Sequence, residues 1–136
     1  MNVNFNFSGI DSPLSFAIEY QSLPLVELLV NKGADMHLFI PHTPTPFLLA
    51  VSLAKKNKAA LKILEFLVQN VPAGTIDLAD ENEMNALCYA ITKEDIQAVK
   101  ILLDAGADPH FNNDTPVAIA EKVNNKEILN LLSKYA

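Results

Sequence analysis

The sequence contains no arginine and no tryptophan among its 136 residues, and all ten of its basic residues are lysines. Sixteen Asp and Glu residues outnumber them, so the net charge is −6. Arginine is the side chain best suited to bidentate contacts with phosphate and guanine, and nucleic-acid-binding proteins usually carry a basic face. We therefore expect no nucleic-acid partner, and the negative charge disfavours anionic membrane surfaces in the same way.

Long apolar runs and paired cysteines are also missing. No run approaches the ~20 apolar residues that a membrane-spanning helix needs. The N-terminal stretch MNVNFNFSGI has neither the basic nor the apolar region of a secretory signal. The single cysteine, Cys88, cannot form an internal disulfide, which fits a reducing compartment. We therefore expect a cytoplasmic protein that does not contact a membrane.

Recognisable catalytic and metal-binding patterns are scarce. The four glycines form no phosphate-binding loop, and no two of the three histidines have the i, i+3 or i+4 spacing of a zinc site on one helix. Cys88 has no histidine nearer in sequence than His110 to serve as its base. A small buried thiol is the favoured interpretation of Cys88, and a catalytic nucleophile is the disfavoured alternative. We predict no enzyme activity, no cofactor and no metal site.

What the sequence does contain is a repeat. The stretches LLVNKGADMH at 28–37 and LLDAGADPH at 102–110 are nearly the same, and extended backwards they align without a gap over 26 residues, from Ser12 and from Asn85. Two further copies begin at Thr45 and Thr115, so the four starts are 33, 40 and 30 residues apart. Such a period is typical of stacked small units that share one core.

Each copy has the signals of a helix pair. The starting residues are good N-cap types, and proline follows three of them at the first helical position. Gly33 and Gly106 are expected to end second helices in a left-handed conformation. The second helices carry apolar stripes at 3–4 spacing, which we expect to be buried between neighbours: Leu25, Val26, Leu28, Leu29; Ile96, Val99, Leu102, Leu103; and Ile128, Leu129, Leu131, Leu132.

A 33-residue unit with TPL-like openings (SPL, TPF, NAL and TPV) and GAD endings resembles the ankyrin repeat. The resemblance covers nearly the whole chain, from about Val3 to Tyr135. It implies an all-α ankyrin-repeat solenoid of four helix-turn-helix units joined by hairpin-like loops, here called fingers. It also implies one domain over residues 1–136, with units starting near 12, 45, 85 and 115 after a partial finger at 1–11.

The repeat departs from its pattern in two places. The second copy is seven residues too long, and about five of these fall around 53–62, where they either lengthen the helices or enlarge the turn. The lysines there fit a solvated turn or a docking loop. The third copy is three residues short, which predicts a shortened finger before Thr115. His37 and His110 follow their GAD motifs by two residues, and we expect hydrogen-bonding roles at the finger bases.

The resemblance implies protein binding through a concave surface made by the finger tips and the exposed side of the first helices. We expect an adaptor or inhibitor whose partner is a protein, with a basic patch as one alternative. A monomer or a weak homodimer is expected, and a structural homodimer without a separate partner is the other hypothesis. The predicted partner-binding residues are Asp11, Glu19, Tyr20, His42, Ser52, Leu53, Glu81, Asn82, Met84, Thr92, Lys93, Phe111, Asn112 and Asp114.

Overall fold

The computed structural model describes residues 12–136, and over this range it contains eight helices and no strand, which confirms the all-α prediction. The chain divides after Leu67, near the end of its fourth helix, into two compact units, which we call the N-terminal unit and the C-terminal unit and describe separately. The helices are α1 (Pro13–Glu19), α2 (Leu23–Asn31), α3 (Pro46–Leu53), α4 (Lys58–Gln69), α5 (Ala86–Thr92), α6 (Ile96–Asp104), α7 (Phe111–Val123) and α8 (Lys126–Tyr135).

In the N-terminal unit the predicted helix starts are confirmed. The hydroxyl of Ser12 accepts a hydrogen bond from the Ser15 amide at 3.2 Å, and the hydroxyl of Thr45 accepts one from the Leu48 amide at 3.2 Å. Each hydroxyl satisfies a backbone donor that the first helical turn leaves free. Helix α1 packs against α2 and α3. The buried apolar side chains are Leu14, Ala17, Ile18, Val26, Met36, Phe47, Leu48, Ala50, Val51, Ala54, Ala60, Ile63, Leu64 and Leu67.

In the C-terminal unit Asn85 caps α5, since its Oδ1 accepts from the Cys88 amide at 2.9 Å. Helix α5 packs against α6 and α7, and α8 packs against α6 and α7, so two helix pairs lie side by side. The buried apolar side chains are Ala86, Leu87, Cys88, Ala90, Ile91, Ala98, Val99, Leu102, Leu103, Ala107, Ala120, Ile128, Leu131 and Leu132.

The GAD motifs are helix ends, as predicted. Gly33 and Gly106 follow α2 and α6 with φ angles of 96° and 100°, which favour glycine because a Cβ is strained there. The next aspartates open the fingers. Oδ1 of Asp35 accepts from the backbone amide two residues later at 2.9 Å, and Oδ1 of Asp108 does the same at 2.8 Å. The repeated motif therefore ends a helix and starts a turn.

The extra residues of the second repeat mainly lengthen its second helix. Helix α3 ends at Leu53 and α4 begins at Lys58. Helix α4 has 12 residues, whereas α2 and α6 have nine each. The lysine-rich stretch around 53–62 is therefore a short turn that leads into a longer helix.

Helix α7, Phe111–Val123, contains a kink before Thr115, and its regular right-handed part follows that kink, at the predicted start. Its residues 112–114, Asn-Asn-Asp, have left-handed backbones with φ of 49°, 57° and 65°, a region that Asn and Asp tolerate better than most residues. The Thr115 hydroxyl donates to the carbonyl of Asn112 at 2.6 Å. The shortened finger is thus a tight left-handed turn that merges into the helix.

The buried stripe predicted for α2 is wrong. Of its apolar side chains only Val26 is buried, while Leu25 is 38% exposed and Leu28 is 53% exposed. In α6 and α8 the stripe is buried over most of its length. The sequence pattern specifies which side of a helix is apolar, but burial also requires a neighbour on that side.

Candidate functional site

One candidate contact surface in the N-terminal unit is the exposed side of α1, which we call the α1 face and define as Phe16, Glu19 and Tyr20. Phe16 is 50% exposed and Tyr20 is 70% exposed. Their ring centroids are 4.4 Å apart and the rings are tilted by 34°. The two residues lie four positions apart, a spacing that places side chains on the same side of a helix. The α1 face therefore presents a stacked aromatic pair beside an exposed carboxylate.

The other predicted residues of the N-terminal unit differ in accessibility. His42 is exposed at the tip of the finger before α3, with φ of 64°. The two sides of this finger are joined by a β-bridge between Ile40 and Thr43, in which the Thr43 amide donates to the Ile40 carbonyl at 3.1 Å. Ser52 and Leu53 are half-buried at the end of α3. Of these, His42 is presented to solvent most fully.

In the C-terminal unit the finger before α5 is organised by Asp80. Its Oδ1 accepts from the amides of Asn82 at 2.8 Å and Met84 at 3.0 Å, and its Oδ2 accepts from the hydroxyl of Tyr89. Glu81 and Asn82 are exposed at the tip, and Met84 is half-buried. The carboxylate thereby fixes the loop that presents two of the predicted contact residues.

The Asp80 network changes the acidity of both partners. Burial tends to raise the pKa of Asp80, but the hydrogen bonds from Tyr89, Met84 and Asn82 outweigh it, and the pKa lies below its ordinary value of 3.8. Burial, together with the hydrogen bond to Asp80 and its negative charge, raises the pKa of Tyr89 to about 12. Asp80 therefore stays ionised and Tyr89 stays a hydrogen-bond donor at neutral pH.

A second carboxylate, Asp77, ties this finger to the next one. Both of its oxygens lie 3.2 Å from the backbone nitrogen of Asp108, and Oδ1 also accepts from Asn85 Nδ2 at 3.2 Å. Burial raises the pKa of Asp77, opposed by the hydrogen bond from the Asp108 amide. Asp77 occupies the same position at the base of its finger as His37 and His110 occupy in theirs. The hydrogen-bonding role expected for that position is observed for Asp77.

The remaining predicted residues of the C-terminal unit lie on α5 and in the following finger. Thr92 and Lys93 are exposed, although the Thr92 hydroxyl donates to the Cys88 carbonyl at 2.9 Å. Phe111 is half-buried. Asn112 and Asp114 are exposed in the left-handed turn, where Asp114 Oδ1 lies 2.5 Å from Nδ1 of His110. Asp11 falls outside the residues that the structure describes.

Phe16 is the functional candidate that the sequence prediction omitted. Its spacing of four residues from Tyr20 within a short helix was the signal that could have identified it. The matching residue 73 positions later is Tyr89, which is half-buried and donates to Asp80. Tyr89 therefore stabilises a finger in the C-terminal unit, whereas Phe16, at the matching position of the N-terminal unit, faces solvent.

Cys88 is buried, as predicted. Burial raises the pKa of its thiol, opposed by a hydrogen bond with Asn85 and reinforced by the negative charges of Asp77 and Asp80. The thiolate is the nucleophilic form of cysteine, so this environment disfavours nucleophilic chemistry.

Among residues 12–136, no group of three or more His, Cys, Asp or Glu side chains could hold a metal ion. Within the same described range, no helix combines the length and apolarity required to cross a membrane.

The repeated part of the sequence matches a known family. The sequence profile for ankyrin repeats, in three copies, matches residues 47–136. The chain belongs to the ankyrin-repeat family. Its fold is thus an all-α repeat solenoid, and ankyrin repeats are generally protein–protein interaction modules. The three matched copies lie in 47–136, and the presence of four complete repeats stays a prediction.

Several individual relatives are similar to this chain over part of their own length. The chain is 28% identical over 129 residues, 88% of its length, to the palmitoyltransferase ZDHHC13 of Danio rerio. It is 36% identical over 81 residues, 57% of its length, to the ankyrin repeat protein L271 of Acanthamoeba polyphaga mimivirus. It is 29% identical over 165 aligned positions, 91% of its length, to the ankyrin repeat protein FPV219 of Fowlpox virus. These matches span 18%, 11% and 37% of the respective relatives.

Proposed function

We propose that this ankyrin-repeat protein is a non-enzymatic binding module that holds a partner protein through the α1 face and through finger tips, as an adaptor or inhibitor. The observation that carries the proposal is the exposed aromatic pair of Phe16 and Tyr20, 4.4 Å apart. Scattered exposed apolar residues are normal on proteins. Two stacked rings on one side of one helix form a contiguous apolar patch, and aromatic residues are enriched among the anchors of protein interfaces.

The distribution of charge supports a partner with a basic patch. Each half of the chain, 1–67 and 68–136, contains five lysines, but the first half has five Asp and Glu residues and the second has eleven. The first half is therefore neutral and the second carries the whole net charge of −6. A concentrated negative field steers basic partners toward it and speeds association. Exposed Glu81 and Asn82, on the finger fixed by Asp80, are suited to such contacts.

A cytoplasmic location is part of the proposal. It is supported by the buried free thiol of Cys88, since single unpaired cysteines are typical of reducing compartments. Nucleic acid and membranes are not proposed as partners, because the chain lacks arginine and is acidic.

The proposal is tested by affinity purification with the full chain, followed by binding measurements on the partner that is identified. Phe16→Ala/Tyr20→Ala should weaken that complex by about tenfold or more, since interface anchors commonly contribute over ~1.4 kcal/mol each. Leu25→Ala/Leu28→Ala is the matched control, because these leucines are 38% and 53% exposed but lie on α2, outside the α1 face and the fingers. Circular dichroism establishes that each variant is folded. Equal partner affinity for the double variant and the wild type would remove the α1 face from the proposal.

The contribution of the acidic finger is measured through association rates. Glu81→Gln/Glu83→Gln should slow association with a basic partner, and the effect should shrink as salt screens the charges. Glu121→Gln/Glu127→Gln removes the same charge from the same half and is the control for net charge alone. If both double variants slow association equally, the partner responds to the total charge of the C-terminal half and not to the finger.

A further inference from the structure

Charge is distributed along the chain more unevenly than the net charges of its two halves indicate. Residues 36–64 contain four lysines and no acidic residue, whereas residues 63–92 contain five acidic residues and no lysine. The first segment includes the turn between α3 and α4, and the second includes the finger before α5. Each segment therefore carries charge of one sign, and the two signs are opposite.

The lysines of the first segment form one patch in the N-terminal unit, which we call the lysine turn. Asn57 fixes this turn, because its Oδ1 accepts from the Ala60 amide at 2.9 Å while its Nδ2 donates to Oε1 of Gln21 at 2.8 Å. The positive charges are therefore presented by an ordered stretch of chain. The lysine turn is defined by four exposed side chains: Lys55, Lys56, Lys58 and Lys62.

The lysine turn does not stabilise the helix that it begins. Lys58 is the first residue of α4, and the first turn of this helix contains no acidic residue. Positive charge at the start of a helix opposes the helix dipole, and Lys58 and Lys62 lie four positions apart, where like charges repel. Among the described residues, Lys56, Lys58 and Lys62 make no ion pair. A local preference that is broken without a local gain is typical of a surface that serves binding.

The acidic finger before α5 is also an ordered turn, and we define it by the exposed side chains of Leu78, Glu81 and Glu83. The Glu83 amide donates to the Asp80 carbonyl at 3.0 Å, and the Asp80 amide donates to the Met84 carbonyl at 3.0 Å. Leu78 is 50% exposed, and the aliphatic stems of lysine side chains pack well against such a residue. Because both surfaces are ordered beforehand, little conformational entropy is lost when they meet.

We propose that the lysine turn of one copy of this chain binds the acidic finger of a second copy. The charges of the two surfaces are complementary, and both surfaces are present on every molecule. This contact rests on the proposed function, because it uses the acidic finger as a contact surface for a basic partner, and it leaves the α1 face free. Since the two surfaces differ, each added copy brings one further lysine turn and one further finger, so the contact is head-to-tail and assembly continues beyond a dimer unless a ring closes.

The net charge of −6 opposes contact between copies, and salt determines which effect dominates. At an ionic strength of about 0.1 M the Debye length is about 10 Å, so charges far from the contact are largely screened while opposite charges within it still attract. At about 1 M the Debye length is about 3 Å, and the attraction within the contact is screened as well. We therefore expect self-association in about 0.1 M salt that disappears in about 1 M salt.

The test is sedimentation velocity of the full chain over a concentration series that reaches the submillimolar range. Lys55→Gln/Lys56→Gln/Lys58→Gln neutralises most of the lysine turn, and Glu81→Gln/Glu83→Gln neutralises the acidic finger. Each variant should raise the dissociation constant by at least about tenfold. The finger variant separates local from global charge, because it lowers the net negative charge. If overall repulsion governed association, this variant would associate more strongly than the wild type.

Control variants make the same changes of net charge at exposed positions elsewhere. The acidic control should not weaken self-association, and the lysine control should weaken it less than the lysine-turn variant does. Circular dichroism establishes that every variant is folded. The acidic control is Glu121→Gln/Glu127→Gln, and the lysine control is Lys100→Gln/Lys126→Gln/Lys134→Gln.

An equimolar mixture of the lysine-turn variant and the finger variant tests the head-to-tail contact itself. The first variant retains its acidic finger and the second retains its lysine turn, so one contact forms and yields a 1:1 dimer that does not grow. A wild type that stays monomeric over the whole series in about 0.1 M salt would overturn the proposal. So would a mixture that stays monomeric, or either variant associating as the wild type does. These samples contain no other protein, so their failure leaves the proposed function to be judged by binding to its own partner.

Discussion

The side-chain amide of Asn125 donates a hydrogen bond to Oε1 of Glu94 at 3.2 Å, and so connects the start of α8 to the turn between α5 and α6. The N-terminal unit contains the same link, from Asn57 to Oε1 of Gln21 at 2.8 Å. Each donor also caps its helix: Oδ1 of Asn125 accepts from Ile128 at 3.1 Å, and Oδ1 of Asn57 accepts from Ala60 at 2.9 Å. Each asparagine therefore joins two consecutive helix pairs.

The two links should respond differently to the same substitution. Asn125→Asp keeps the helix cap but replaces the amide donor by a carboxylate that faces Glu94. We expect a loss of about 1 kcal/mol in the free energy of unfolding, from the missing hydrogen bond and the like charges. Asn57→Asp keeps its cap and faces Gln21, whose amide can rotate to donate. Urea unfolding should show that Asn57→Asp is nearly neutral, and equal losses for both variants would contradict this account.

Asp95 is a buried carboxylate with one satisfied oxygen. It caps α6 through Oδ1, which accepts from Ala98 at 3.2 Å, but its Oδ2 has no hydrogen-bond partner and the residue is only 6% exposed. The matching caps are Ser22, Asn57 and Asn125, all uncharged. An unsatisfied buried polar atom typically costs about 1–3 kcal/mol. Asp95 therefore combines a favourable cap with an unfavourable buried oxygen.

Substitutions at Asp95 should separate these two effects. Asp95→Ser keeps a capping oxygen and removes the unpartnered one, so we expect the free energy of unfolding to rise by about 1 kcal/mol. Asp95→Ala removes both, and loss of a cap costs about 0.5–2 kcal/mol. Thermal or urea unfolding should therefore rank Asp95→Ser above Asp95→Ala. A serine variant that is less stable than the wild type would show that the second oxygen is satisfied in solution.

Any substitution that adds a Cβ at Gly106 should destabilise the protein through its backbone conformation alone. The φ of Gly106 is 100°, and among the described residues other than its two chain neighbours no heavy atom lies within 4 Å of the place a Cβ would occupy. Gly106→Ala should therefore cost about 1–2 kcal/mol from the left-handed backbone, without a steric clash. Gly106→Asn should cost less, because asparagine visits this region more readily. Equal destabilisation by alanine and asparagine in urea unfolding would point to a clash instead.

The helix-pair architecture was predictable because its signals are local. Caps such as Ser12 and Asn85 lie next to the backbone donors they satisfy, and Gly106 acts on its own φ angle. The failures come from tertiary context. Leu28 has the periodicity of a core residue, but its burial depends on a neighbour that the pattern cannot supply. The kink before Thr115 was also missed, because a capping signal at Thr115 does not reveal the left-handed backbones of Asn112 and its two successors.

The candidate site was less predictable than the fold. Tyr20 was found from its position in the repeat, but its ring partner Phe16 was not, because a position shared by the copies of a repeat says little about side-chain packing. The network around Asp80 depends on contacts between residues four and nine positions apart, across a loop whose conformation had to be known first. Side-chain roles in fingers follow from loop geometry, which composition and periodicity specify only weakly.

His37 should make the stability of the N-terminal unit depend on pH. Its ring packs edge-on against Phe47, with centroids 5.4 Å apart, and burial lowers its pKa below the ordinary 6.5, opposed by the negative charge of Asp35. The unfolded chain then binds more protons than the folded one as pH falls through this range. The stabilising contribution of neutral His37 is complete above about pH 6.5 and is lost as the pH falls through the folded value.

Two measurements check the assignment to His37. The stability difference between wild type and His37→Asn, which cannot titrate at this position, should fall as pH is lowered from about 7 to 5, as linkage requires. In NMR titrations Asp35→Asn should lower the pKa of His37 further, because it removes the charge that opposes burial while leaving an oxygen to accept from the His37 amide. An increase in the pKa of His37 in Asp35→Asn would contradict the stated balance between burial and charge.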